Sequence, residues 1–81
     1  MSRAVWLDVG DRDLREYLVY FFRVVGWTIA GSPRDGALIV RGGAGRLVFI
    51  RGADWRALYG PFTPERLARA CTALLRARRA S

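Results

Sequence analysis

Histidine, lysine, asparagine and glutamine are all missing from this chain of 81 residues, which also has a single cysteine, Cys71. With no histidine and one thiol, neither a disulfide framework nor a His/Cys metal site of the usual spacings can form within one chain. The absence of histidine and lysine removes the commonest general bases, and the remaining scattered carboxylates suggest no catalytic constellation. Cys71 falls on the apolar stripe of a helix and reads as a small buried hydrophobe rather than a reactive thiolate. No apolar run approaches the ~20 residues that span a bilayer, and the opening MSRAVWLDVG lacks a long apolar core with a cleavage site. The expected setting is a reducing cytoplasm, with no membrane, no cofactor and no small-molecule substrate.

All fourteen basic residues are arginine, and against seven acidic residues they give a net charge of +7. The missing residue types are those written with A-rich or CA-beginning codons, so a GC-rich genome accounts for the bias as well as phosphate recognition does. Only clustering would implicate a polyanion. Two clusters stand out, Arg41, Arg46 and Arg51 around a glycine-rich loop and Arg76, Arg78 and Arg79 at the end. An apolar fraction of 52% with ten aromatic residues (three Trp, three Tyr, four Phe) marks a globular sequence. Residues 1–81 read as one small domain whose modest core makes self-association a natural supplement.

AVWLDV, residues 4–9, reads as a buried strand ended by Gly10. A helix follows, capped by Asp11 or Asp13, with Asp13 and Glu16 spaced as a capping box. Its apolar face is Leu14, Tyr17, Leu18, Phe21, Phe22 and Val25, and Gly26 stops it. WTIA is a second short strand and GSPRDG a tight connection. ALIV and LVFI around RGGAGR predict an antiparallel hairpin, since parallel strands need a crossover of about a dozen residues or more. WRALYG adds a short, partly irregular edge strand. The last helix has Thr63 as N-cap, Pro64 at its first position, Phe62 stapled to Leu67, and a stripe of Leu67, Ala70, Cys71, Leu74 and Leu75. The resulting class is α/β of the two-layer α+β kind, β-α-β-β-(β)-α.

DRDLREYLVYFFRVVGWTI resembles the first helix and second strand of the receiver domain of bacterial response regulators. GADWRALYGPFTPERLARACTALLRAR is similar to that family's last strand and last helix. The resemblance covers roughly half the chain and implies that both helices pack on one face of a small sheet. It also implies where receiver chemistry would sit, and the residues there depart from it. Val9 and Gly10 take the place of the acidic pair that holds Mg²⁺, with only Asp11 beside them; Val40 or Arg41 takes the phosphoacceptor position, Gly60 that of the lysine, and Arg51 that of the switch hydroxyl. Asp11 reads as a helix cap, and Asp8 is ambiguous. The connections in the middle of the chain are too short to cross over a parallel sheet, so the middle strands are expected to form an antiparallel meander.

ALIV and LVFI are apolar at consecutive positions, as strands are when both faces are covered. Pairing Val40 with Leu47 puts Leu38, Val40, Leu47 and Phe49 on one face and Ala37, Ile39, Val48 and Ile50 on the other. With helices on one side only, one set is left open. The expectation is that Leu38, Val40, Leu47 and Phe49 form the open face and a homodimer or protein-partner interface, unless Trp6, Trp27 or Trp55 covers it. The expected function is a non-catalytic, phosphorylation-independent, receiver-like interaction module. The alternative is a small nucleic-acid-binding protein using an arginine-rich hairpin or C-terminal helix, with Arg41, Arg46, Arg51, Arg76, Arg78 and Arg79 on phosphates.

Overall fold

The computed structural model describes residues 3–77, the side chains of Leu74, Arg76 and Ala77 excepted. Its elements run β1 (Ala4–Asp8), α1 (Arg12–Val24), β2 (Thr28–Ile29), a 3₁₀ turn (Pro33–Asp35), β3 (Leu38–Gly43), β4 (Arg46–Arg51), β5 (Asp54–Tyr59) and α2 (Pro64–Ala77). The strands form one mixed sheet in the order β2-β1-β3-β4-β5. This is the α+β architecture expected from the sequence.

Local chemistry explains both ends of α1. Asp11, in extended conformation, accepts from the Leu14 amide at 2.9 Å and is the N-cap. Asp13 lies inside the first turn, where its charge complements the helix dipole, so it is not the start of a capping box. At the other end Gly26 adopts φ +91°, its amide donates to the Arg23 carbonyl, and the Trp27 amide donates to Phe22 at 2.8 Å. That is a Schellman motif, and its usual apolar contact is made by the Phe22 and Trp27 rings, 5.9 Å apart. Val25, expected on the buried face, is the C-cap and is exposed.

β1 pairs parallel to β2 on one side and to β3 on the other. The chain therefore does cross over a parallel sheet between Ile29 and Leu38, contrary to the expectation from loop length. It does so because β2 is two residues long and pairs only with the start of β1, so there is no strand length to return along. Ala30 donates to Val5 and Ala37 to Ala4, each at 2.8 Å, which pins the crossover at both ends. A helix is replaced here by a single 3₁₀ turn.

From β3 onward the sheet is an antiparallel meander. The β3–β4 turn has two residues, Ala44 at φ 54° and Gly45 at φ 72°, the type I′ geometry whose twist suits a hairpin. It sets Val40 opposite Phe49 and Gly42 opposite Leu47. The register is thus two residues away from the Val40–Leu47 pairing, a shift that keeps each side chain on its face. β5 is a full six-residue strand rather than an irregular one.

Both helices lie on the same face. Leu18 and Phe22 of α1 and Leu67 and Cys71 of α2 are buried in one cluster with Val5, Leu7, Leu38, Val40, Leu47 and Phe49. Phe62, Ala70 and Leu75 pack against this cluster, while the side chain of Leu74 lies outside the described residues. Thr63 Oγ1 accepts from the Arg66 amide at 3.3 Å, and the Tyr17 hydroxyl donates to the Pro64 carbonyl at 3.0 Å, joining α1 to the start of α2. Arg66 donates from Nη1 to the Tyr59 carbonyl at 2.8 Å and to that of Pro61, holding the turn that leads into α2.

Gly36 marks the tightest point of the crossover. A Cβ there would stand 3.1 Å from the Trp6 nitrogen, the Trp6 Cβ and the Leu38 oxygen, two of which are backbone and cannot step aside. Gly36→Ala is expected to lower stability by about 1–3 kcal/mol, as overpacking does. Urea unfolding would show this as a lower midpoint at unchanged slope; an unaltered midpoint would mean that the crossover does not press on β1.

Candidate functional site

The register and the alternation of side chains define two faces of the sheet. Val5, Leu7, Leu38, Val40, Leu47 and Phe49 point to the helices. The set Leu38, Val40, Leu47 and Phe49, expected to be open, is therefore the core of the protein, with each residue at most 1% exposed. The pattern of the strands is apolar on both sides, and the helices cover this one.

The opposite face carries three cross-strand rows. The first is Trp6, Ile39, Ile50 and Trp55, paired in sequence across β1, β3, β4 and β5. The second is Asp8, Arg41, Val48 and Ala57, and the third is Gly43, Arg46 and Tyr59. The crossover touches Trp6 at the margin of this face, and among the described residues no helix covers the rest. Trp6, Ile39, Val48, Ile50 and Ala57 remain half-buried, whereas Trp55 is 68% and Tyr59 60% exposed. Of the three tryptophans only Trp27 is buried, and it lies on the helix side beside Phe22.

The structure divides the arginines expected to meet phosphate. Arg41 and Arg46 stand on the open face, both exposed. Arg41 donates from Nε to Asp8 at 3.2 Å, an exposed pair of the kind that contributes about 0–1 kcal/mol. This is the role of Asp8 that the sequence leaves ambiguous. Arg51 turns the other way, its guanidinium 5.4 Å from the centre of the buried Trp27 ring, a cation–π arrangement at the edge of the core. The side chain of Arg76 and the whole of Arg78 and Arg79 lie outside the described residues.

A concavity of about 360 Å³ opens at the carboxyl ends of β1 and β3, the place where open α/β sheets hold ligands. It is lined mainly by glycines and apolar side chains, with Asp11 and Arg46 as its charged residues. Gly60 donates to the Gly45 carbonyl at 3.1 Å close by. Asp11 is engaged as the α1 cap, Val9 is buried and Gly10 has no side chain, so the residues present supply no acidic pair. Among the described residues, no three of His, Cys, Asp and Glu come together in a way that could hold a metal ion.

No family model, curated protein or solved structure matches the chain. Among the described residues, no helix is long and apolar enough to cross a membrane. Trp55, which the sequence offers only as a possible cover of the open face, and Tyr59, which it does not single out, stand exposed together; their alternation with Arg56 and Leu58 in WRALY places both on one side of a strand.

Cys71 is 1% exposed, and burial pushes its thiol up from 9.0 to about 12. The unfolded chain then loses this proton first as pH rises. The contribution of the neutral buried thiol to stability is complete below pH 9 and falls between pH 9 and 12, by up to about 1.4 kcal/mol per pH unit. Comparing the parent with Cys71→Ala isolates it: their stability difference is expected to be flat below pH 9 and to shift against the parent above it. A difference independent of pH across that range would contradict the burial.

Proposed function

We propose that the protein is a non-catalytic binding module whose working surface is the open face of the sheet, and that its partner is a nucleic acid. The observation that carries this reading is the exposure of Trp55 and Tyr59 on the same face as Arg41 and Arg46. Aromatic rings beside guanidinium groups suit a polyanion whose bases have apolar faces. The net charge of +7 adds long-range attraction for such a partner. A receiver-type phosphorylation cycle is not part of this reading, because the residues at the positions the resemblance implies for it are Val9, Gly10, Val40 or Arg41, and Gly60.

The test is fluorescence anisotropy with labelled single-stranded and duplex DNA from low to physiological salt. Affinity is expected to fall linearly on a log–log plot with salt, and Arg46→Ala to weaken binding while reducing the slope by about one. No binding of either form at low salt would overturn the proposal.

The row Trp6, Ile39, Ile50 and Trp55 favours a second reading, a symmetric homodimer with the two open faces together. It keeps the interaction module inferred from the sequence but moves the interface to Trp6, Ile39, Val48, Ile50 and Trp55. Sedimentation equilibrium over a concentration series measures it: this reading expects a dimer that Ile50→Asp dissociates. A parent that stays monomeric at high micromolar concentration would exclude it.

A further inference from the structure

We infer that the nucleic acid held by the open face is single-stranded, with bases stacked on Trp55 and Tyr59 and the backbone tracked by Arg46 and Arg41. This rests on the nucleic-acid reading above and specifies its ligand.

Three features of the face lead to single strands. The first is width. The row from β1 to β5 crosses three strand spacings, about 14 Å between its outer strands, and the sheet extends further to β2. The major groove of DNA is about 12 Å wide, so the full width of this face does not fit within it.

The second is the hairpin tip, the part narrow enough to enter a groove. It consists of Gly43, Ala44 and Gly45, which carry no side-chain donor or acceptor to read a base edge. Tip insertion would bring a shape without a code.

The third is the placement of the two rings. Trp55 and Tyr59 project from the same side of β5, four residues and therefore about 13 Å apart. Ala57 lies between them with a methyl group, which keeps the space above it clear. Each ring takes its own base, and the bases of a duplex, stacked and paired inside it, present no face to them. An unpaired strand does, and stacking of this kind is tolerant of sequence.

The cations are placed for a backbone running alongside. Arg46 is the direct cross-strand partner of Tyr59. Arg41 sits one strand further in, with Nε engaged by Asp8. That acid is the one carboxylate in the three rows, so it opposes an incoming phosphate while it holds the arginine. This gives the inference a variant of opposite sign: Asp8→Asn should tighten binding.

The experiment uses the full chain and pyrimidine oligomers of about ten nucleotides, within the ~4–16 nucleotides that comparable single-strand modules occupy. DNA and RNA strands of matching sequence, the corresponding DNA duplex and heparin are compared by anisotropy, with tryptophan emission followed in parallel. Expected are tighter binding of single strands than of duplex or heparin and quenching of tryptophan emission. Trp55→Ala should lower single-strand affinity about tenfold, Trp55→Phe should keep most of it, and Asp8→Asn should raise it severalfold. Tyr20→Ala, which removes an equally exposed aromatic ring from the outer side of α1, should leave it unchanged. Whichever of DNA and RNA binds more tightly identifies the source of the strand.

Equal affinity for single strand, duplex and heparin, with no effect of Trp55→Ala, would overturn base stacking while leaving a polyanion binder. No binding of any probe would overturn the nucleic-acid reading itself. A stable dimer that does not bind oligomers and that Trp55→Asp dissociates would assign the face to a second copy of the chain and overturn the inference.

Discussion

Phe22 and Leu18 of α1 and Leu67 and Cys71 of α2 pack in one cluster with Leu38, Val40, Leu47 and Phe49, and the rest of the described structure depends on this layer of contact. Each helix has a single apolar stripe, and the sheet presents one face to both of them. Among the described residues, the other side of the sheet is approached by the crossover at one margin and is otherwise open. The candidate surface is thus a consequence of where the core formed.

The crossover shows how economical that arrangement is. In a doubly wound sheet the connection from β2 to β3 carries a helix on the face opposite α1. Here eight residues, 30–37, make the same passage, because β2 is too short to demand a long return. The cost of the shortcut is close packing at Gly36 against the backbone of Trp6. Its result is that Ile39, Val48 and Ile50, which a helix would otherwise cover, stay only half-buried beside Trp55, Tyr59, Arg41 and Arg46.

Charge and ring chemistry then divide the face. Its apolar row, Trp6 to Trp55, suits contact with any flat unsaturated or aliphatic surface, which is why a second copy of the chain competes as an occupant. The rows toward the hairpin add Arg41 and Arg46, and two chains of net charge +7 repel one another where a polyanion is attracted. The crevice at the ends of β1 and β3 has the location of an α/β ligand site, but of its two charged residues, Asp11 and Arg46, the acid is engaged as the cap of α1.

The residues by themselves determined what is local. Asp11 before an apolar-periodic stretch, Gly26 after it, and Thr63-Pro64 ahead of the last stripe specify helix ends through contacts that reach no further than six residues. The apolar runs ALIV and LVFI around RGGAGR determined a hairpin for the same reason, but not its two-residue turn at Ala44 and Gly45 or the register that turn sets. The tertiary structure alone decided which face is covered. In β3 and β4 both sides are apolar, so a period of two assigns side chains to faces without saying which face the helices choose. That choice depends on the summed burial of α1, α2 and five strands at once, and it put Leu38, Val40, Leu47 and Phe49 inside and Trp55 and Tyr59 out. It also decided that β3 could lie parallel to β1, because the two-residue length of β2 is a property of the assembled sheet and not of the segment WTIA.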